Sequence, residues 1–568
     1  MSKQSLTCRK PILLSADMRA CDRHTITELG IPSRTLMERA ARAVVDCLYR
    51  RTDLFPRGRV LILCGNGNNG GDGMAAARFI ADGSAGEARE VSVLYTGIWD
   101  AAGTAPDRTA MSEECAYQYG LLLSAGIPVL PPDAVHAALR EASTVIDAML
   151  GIGLRGPVRG SVPEVIEAVT RSGLPVLAVD IPTGVNADNG RIMGHALPAQ
   201  ATVTVQALKA GLLLYPGADL CGEITVADVG IDLAPAKVPF ACLADGDLIR
   251  DILPPRVRRS HKGSYGRVLA VCGSVGMSGA AVLCARGALR AGAGLVEVLT
   301  PEENRLVLQI SLPEAIVNAY DTRSAAIGSA DPEAGVRRAT LRRQITDALS
   351  RASAVVVGCG LGTSETSRLV LRTVLECFPA ERRVPLVLDA DALNLLAEDK
   401  SLFETKALTA PDRCVILTPH PIEMARLYAD GASERELLPT VLEDTAGVAA
   451  KFAARQGVTV VLKDAHTVIA PTTPDGSRYI CPFGNAGMAT GGSGDVLAGI
   501  IAALFADRTV KRSEVAAVAA AGVALHALAG DRAAALLGEH GMIPSDLVEQ
   551  IPFVTKGFSD TKTVVEFG

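Results

Sequence analysis

Short apolar runs alternate along the chain with longer segments of helical period. In the N-terminal half the runs are VLIL (60–63), VSVLY (91–95), TVIDAML (144–150), PVLAVDIP (175–182) and TVTVQA (202–207). Runs of this length, rich in Val and Ile, predict strands, and the segments between them predict βαβ units on a mainly parallel sheet. The stretch IDLAPAKVPFACLADGD breaks the rhythm with prolines and loop residues, which places a domain boundary near 235–245. A second series follows: RVLAVCGS (267–274), GLVEVLT (294–300), AVVVGCG (354–360), PLVLDAD (385–391), CVILTPH (414–420) and VTVVLKD (458–464). The pattern predicts two α/β domains, 1–238 and 239–568.

Composition narrows the class. The 568 residues exceed one ordinary domain, and 48% apolar content is enough for sizeable cores. Aromatics are only 4%, while small residues abound, which suits helices lying close on parallel sheets. A net charge of −6, with no basic block beyond RVRR (256–259), argues against a nucleic-acid partner. The 13 cysteines are odd in number and lack a CxxC pair, so they read as reduced thiols of a cytoplasmic protein. The N-terminus has no apolar core of the signal-peptide kind. The longest apolar stretches, 496–506 and 515–525, each reach about half a membrane span and read as buried helices, so no membrane partner is expected.

In parallel sheets, ligands collect beyond the carboxyl ends of strands. Polar or glycine-rich residues recur there: GNGNNGGDG, DAMLGIGLRG, DIPTG, GSVGMSG, GCGLG, DADALN, TPHPIE and KDAH. The first contains Gly65, Gly67 and Gly70 in GxGxxG spacing. A dinucleotide fingerprint also needs an acid ending the second strand, about 20 residues on. Here that strand is followed by Thr96, Gly97 and Ile98, with no acid until Asp100. A second reading uses more of the residues. The glycine turn offers backbone N–H groups at a helix N-terminus. Asn69, Asp147 and Thr183 offer oxygen ligands suited to a hard cation rather than zinc. Asp180 follows an apolar run, where burial would raise its carboxyl and fit it for proton transfer; a helix N-cap is the alternative.

In the C-terminal half, NAGMATGGSGDVLAGIIAAL begins at Asn485. The N–H groups of Gly492, Ser493 and Gly494 can converge on a phosphoryl group at a helix start. Asp495 would then take a proton from an attacking hydroxyl. No GxxxxGK[ST] occurs, so a Walker-type site is excluded. His420 reads either as a functional residue or as a turn residue in TPHP.

GNGNNGGDG, DAMLGIGLRG and DIPTG, with the upstream segment SADMRACDRHTITELGIPSRTLMERAARAV, resemble the YjeF N-terminal family of NAD(P)H-hydrate epimerases over roughly 10–230. The resemblance implies a Rossmann-like three-layer sandwich. It implies a substrate site lined by Asn68, Asn69, Gly70, Gly71, Asp72, Gly151, Ile152, Gly153, Leu154, Arg155, Gly156 and Pro157. It further implies K+ held by Asn69, Asp147 and Thr183, and Asp180 as catalytic acid/base and substrate contact.

SHKGSYGRVLAVCGS, GAAVLCARGALRAGAGLVEVLT, VVVGCGLG, LDADALN, TPHPIEMARL, VLKDAHTVI and GNAGMATGGSGDVLAG resemble the ADP/ATP-dependent NAD(P)H-hydrate dehydratases, of ribokinase-like fold, over roughly 245–530. That resemblance implies nucleotide contacts from Lys463, Asp464, Ala465, His466, Thr467 and Gly494. It implies hydrate contacts near Ala280, Gly362, His420 and Asp495, with Ala281 and Gly360 as the alternative register, and Asp495 as the base. The family commonly has Lys-Gly where this chain has Lys463-Asp464. Together the resemblances imply epimerisation of R and S NAD(P)H hydrate and dehydration of the S form. The latter would use ADP or ATP with Mg2+, giving AMP or ADP and phosphate. A homo-oligomer is expected. A small-molecule kinase, and a non-catalytic first half, are the competing readings.

Overall fold

The computed structural model describes residues 8–84, 86–253, 255–325, 333–379, 382–410, 412–429, 433–473, 476–506 and 510–556. The reading of the N-terminus as free of a signal peptide rests partly on residues 1–7, which lie outside the described residues. The chain divides into two compact units: Arg9–Ala241, and the chain from Cys242 onward together with Cys8.

The strands of the first unit are β1 (Pro11–Leu13), β2 (Val60–Cys64), β3 (Val91–Tyr95), β4 (Val129–Leu130), β5 (Thr144–Ala148), β6 (Val176–Val179), β7 (Ala201–Val205), β8 (Leu208–Lys209) and β9 (Glu223–Ala227). Its main sheet is parallel throughout, in the order β4-β3-β2-β5-β6-β7-β9, and β1 pairs in parallel with β8. Every residue of β2 is buried. Val60, Ile62 and Cys64 face one apolar core, and Leu61 and Leu63 face another. This two-residue period is that of a strand covered on both faces. Helices Ser33–Arg50 and Asn68–Ala81 contribute to the first core, and Val162–Ser172 to the second. The result is a three-layer, Rossmann-like sandwich. Its strand order reverses between β2 and β5, where diverging loops leave a crevice at the carboxyl ends.

The second series comprises β10 (Ala241–Leu243), β11 (Arg267–Val271), β12 (Leu295–Pro301), β13 (Ile316–Tyr320), β14 (Ala354–Val357), β15 (Leu386–Leu388), β16 (Val415–Leu417), β17 (Thr459–Leu462), β18 (Thr467–Ala470) and β19 (Tyr479–Cys481). They run in the order β13-β12-β11-β14-β15-β16-β17-β18-β19-β10. Pairing is parallel from β13 to β17 and antiparallel through β18 and β19, and β10 runs parallel to β19. The fold is ribokinase-like, and its order reverses between β11 and β14. Helix Ser493–Ala506 is buried almost all round, as its unbroken apolar run predicts. The segment Arg512–Leu537 is long and apolar enough to cross a membrane by composition, but 83% of its apolar window is buried inside the unit.

The long central strands fall on the apolar runs. The short strands β4, β9, β13, β18 and β19 are not among those runs; β9, for example, exposes most of its residues at a sheet edge. One expectation is corrected. Cys8 and Cys242 form a disulfide, with Cα atoms 5.6 Å apart, so not all cysteines are reduced thiols. The partners are 234 residues apart in sequence, a separation at which spacing carries no signal.

Helices Ser278–Arg290 and Ser493–Ala506 meet through glycine. A Cβ on Gly499 would lie 2.0 Å from the Cys284 carbonyl oxygen, and one on Gly287 2.6 Å from that of Val496. Gly499→Ala is therefore expected to destabilise the C-terminal unit by about 1–3 kcal/mol. Its thermal midpoint should fall; an unchanged midpoint would show that the helices can part without cost.

Candidate active sites

The loop after β2 runs into helix Asn68–Ala81. Its N-cap, Gly67, has extended backbone and no side-chain cap, so the leading N–H groups are left for a ligand. The GxGxxG glycines have a packing reason. A Cβ on Gly65 would sit 2.1 Å from the Met149 carbonyl oxygen, and one on Gly70 2.0 Å from that of Gly65. The turn is pressed against the loop after β5, and together they bound a cavity of ≈ 560 Å³. Asn68, Asn69, Asp72, Gly151, Ile152, Gly153, Leu154, Arg155 and Asp180 line it. Gly70 and Gly71 are buried behind this wall. Gly156, at φ +78°, and Pro157 follow its end.

Asp147 is fully buried at the end of β5. Its carboxylate accepts from the Thr183 N–H (2.8 Å), the Thr183 hydroxyl (2.7 Å) and the Met149 N–H (3.2 Å). Burial lifts its carboxyl to about 6, against the lowering effect of the Thr183 and Met149 bonds. Asn69 packs against Gly151, and its Nδ2 is buried without a hydrogen-bond partner. The Asp147 carboxylate, the Thr183 hydroxyl and the Asn69 amide oxygen are the oxygen donors a hard cation takes; the unpartnered Asn69 nitrogen is a donor and adds nothing to such a site.

Asp180 stands at φ +65°, a left-handed conformation unusual for a residue other than glycine. It starts a turn rather than capping a helix. Its Oδ1 accepts from the Lys209 ammonium (2.5 Å), the Val205 N–H (3.1 Å) and the Thr204 hydroxyl (3.2 Å). Lys209 is 1% exposed and also donates to Thr204 Oγ1 and the Val205 carbonyl. The apolar run before Asp180 signals burial but not this cation, which arrives from β8. Asp72 is pushed well above the usual carboxylate range by burial, then by Asp180 and Asp22, with Lys209 opposing. Asp22 and Arg19 enter the cavity from helix Ser15–Thr27, and Arg19 donates to the Ile152 carbonyl at 3.3 Å. Spacing could not find Lys209, Asp22 or Arg19, because each comes from an element remote from the glycine loop.

In the C-terminal unit, the ends of β11 and β14 flank the reversal of strand order. Gly360, at φ +60°, leaves no room for a side chain against Ala280, and the Gly362 N–H donates to Asp391 Oδ2 at 2.7 Å. Next along the sheet, buried Asp389 accepts from Thr418 Oγ1 (2.6 Å) and Lys463 Nζ (2.8 Å). Lys463 lies 4.0 Å from Glu423 and beside the Cα of Gly494. Burial, which lowers the ammonium, is outweighed by Asp389 and Glu423, so Lys463 is raised. Asp495, on the first turn of helix Ser493–Ala506, is lifted to about 7 by burial and then by Asp389 and Cys272. Glu423 is likewise lifted to about 7, mainly by burial. His526 Nε2 donates to the Ser493 carbonyl (2.9 Å), which pins the start of the helix.

The nucleotide-segment residues separate. Lys463 points inward to Asp389. Asp464 and Ala465 are exposed, and Asp464 Oδ1 accepts from the Ala465 N–H (2.8 Å) while Thr467 Oγ1 donates to the Asp464 carbonyl (3.3 Å). The departure from Lys-Gly is thus absorbed in the turn itself. His466 is half-buried between them. His420 caps helix Pro421–Tyr428: its Nδ1 accepts from the Ile422 N–H at 3.2 Å, and its ring lies 3.4 Å from Glu423. Asp389 and Glu423 were not among the expected site residues; DADALN and TPHPIE carry them, but the burial that makes them chemically significant appears only in three dimensions.

The family model for the YjeF-related protein N-terminus matches residues 33–211, and that for NAD(P)H-hydrate dehydratase matches residues 268–553. The bifunctional NAD(P)H-hydrate repair enzyme Nnr of Moorella thermoacetica is 37% identical over 98% of this chain and 99% of its own length. The chain belongs to the bifunctional NAD(P)H-hydrate repair enzyme family. The Escherichia coli member is 34% identical over 96% of this chain and 94% of its own, and that of Leishmania braziliensis 32% over 97% and 94%. Among solved structures, the Bacillus subtilis ADP/ATP-dependent NAD(P)H-hydrate dehydratase co-crystallized with ATP/Mg2+ aligns at 29% identity and TM-score 0.43, over 56% of this chain and 99% of its own.

Lys209→Met would leave the Asp180 carboxylate buried without its cation. Breaking a buried pair in this way costs about 3–5 kcal/mol. The N-terminal unit should unfold at markedly lower denaturant, while an unchanged midpoint would mean that Lys209 does not hold Asp180.

Proposed function

We propose that the chain repairs hydrated nicotinamide cofactors, one step in each unit. The observation that carries this reading is a strand-end carboxylate paired with a lysine in each unit, Lys209 buried and Lys463 half-buried, near the point where strand order reverses. In the N-terminal unit Asp180 handles the proton of the ring hydroxyl, so that ring carbon 6 can lose and regain its configuration. The cavity accommodates the nicotinamide ring, and the free N–H groups of helix Asn68–Ala81 face phosphate oxygens. Asn69, Asp147 and Thr183 would hold K+, which would neutralise the buried Asp147 carboxylate and stiffen the loops after β5 and β6.

In the C-terminal unit the S hydrate is phosphorylated by ADP or ATP. Asp495 removes the hydroxyl proton as the oxygen bonds to phosphorus. Lys463 offsets charge beside Gly494. Phosphate then leaves with its carbon–oxygen electron pair, driven by the ring nitrogen. Loss of a proton from the neighbouring carbon restores NADH or NADPH. Mg2+ bound with the nucleotide would offset phosphate charge. Phosphorylation is needed because hydroxide is a poor leaving group. The products are AMP or ADP and phosphate.

Asp180→Asn should slow epimerisation by about 10²–10⁴-fold and leave nucleotide-dependent dehydration of the S form intact. Asp495→Asn should do the reverse. Unchanged epimerisation in Asp180→Asn would refute the first assignment. A stable phosphorylated product, in place of free phosphate, would favour a small-molecule kinase.

The pH dependence has a definite sign. As a base, Asp495 must be ionised, so kcat/KM for dehydration should fall tenfold per unit as pH drops below about 7. Stability runs the other way. A carboxyl raised in the fold stabilises it below the ordinary carboxylate range, and that contribution is lost as pH rises through about 7. Rate profiles of wild type and Asp495→Asn test this; a flat wild-type profile across about pH 7 would contradict it.

A further inference from the structure

Three cysteines that the mechanism does not use converge beneath the phosphoryl-transfer site. Cys272 directly follows β11, Cys359 lies two residues after β14, and Cys284 lies on helix Ser278–Arg290. All three are free and fully buried, and their sulfurs lie within 4.8 Å of one another. Among the described residues no other trio of thiols meets in this way. We propose that Cys272, Cys284 and Cys359 form a three-thiolate site for a soft metal ion of the zinc class, open on its fourth side toward Asp389 and Asp495.

The geometry is close to what such an ion requires. Zinc–sulfur bonds of about 2.3 Å at tetrahedral angles place sulfurs about 3.8 Å apart. Cys272 Sγ and Cys284 Sγ are already 3.9 Å apart. Cys359 Sγ lies 3.8 Å from Asp389 Oδ2, and Cys359, Asp389 and Asp495 also fall within 4.8 Å of one another. Asp389 Oδ1 is occupied by Thr418 and Lys463, whereas Oδ2 faces the thiols. Asp495 is half-buried, so the carboxylate side gives the ion its way in.

The three ligands stand on rigid elements. Cys272 and Cys359 are fixed by adjacent strands, and Cys284 by the close approach of its carbonyl to Gly499. A buried cysteine alone is commonly just a small apolar side chain. Three at ligand spacing, with carboxylates on the fourth side, form a donor set that a soft ion can bind. On binding, the S–H bonds give way to metal–sulfur bonds and the protons pass to solvent. The ion would then compete with Lys463 for Asp389 and Asp495, blocking dehydration without touching the N-terminal unit's chemistry.

The test uses the full-length protein, reduced and stripped of metal, titrated with Cd2+. The expected result is an ultraviolet thiolate-to-cadmium charge-transfer band that saturates at one ion per chain, with three sulfur neighbours in X-ray absorption. Cys284→Ala and Cys272→Ala should lose the saturable band. Cadmium should stop nucleotide-dependent dehydration in the wild type but not in Cys284→Ala. Fewer than three sulfur neighbours in the wild-type protein, a measurement that needs no variant to fold, would overturn the proposal. So would a band that persists unchanged in both variants.

Discussion

In each unit a carboxylate just past the end of a parallel strand is paired with one lysine. Asp180 is held by Lys209 at 2.5 Å and Asp389 by Lys463 at 2.8 Å. Neither lysine is near its aspartate in sequence; β8 and the end of β17 bring them there. The pairs therefore tie the placement of β8 and β17 to the charge balance of each site. A buried charge left alone is costly, so correct strand placement and an intact site become one requirement. The backbone records it too: Asp180 and Ala390, beside Asp389, both adopt positive φ, at +65° and +49°.

Around each pair, a second acid lies in a less balanced environment. Asp72 is raised by burial and by Asp180, and Asp495 by burial and by Asp389. Neighbouring carboxyls can divide proton transfer and charge stabilisation between them. In the C-terminal unit the raised member is the one on the glycine-rich helix start, where a reacting hydroxyl and a phosphoryl group would meet. In the N-terminal unit the lysine-held Asp180 lines the cavity itself.

Much of this was legible in the sequence. The runs VLIL, VSVLY, AVVVGCG and VTVVLKD mark buried strands because parallel sheets covered on both faces need continuous apolar segments. Asn69, Asp147, Asp180 and Asp495 were legible because they stand at strand ends or a helix start. Lys209 was not, since a lysine inside QALKAGL looks like any surface lysine until β8 places it on Asp180. The Cys8–Cys242 bond and the Cys272–Cys284–Cys359 cluster were hidden for the same reason: their members are distant in sequence. His420 shows the opposite limit, since its motif attracted a binding role while its ring also caps the following helix.

The central claim is that each unit carries its own complete proton-handling centre. The most direct test is recovery of dihydronicotinamide absorbance from a mixture of R and S NADH hydrate, with ADP, ATP or no nucleotide, alongside phosphate release. The account predicts nucleotide-dependent recovery of the whole mixture, faster than spontaneous epimerisation, with one phosphate released per cofactor restored. Recovery that halts at the S fraction would contradict a catalytic N-terminal unit, and no recovery with either nucleotide would contradict the assignment of the C-terminal one.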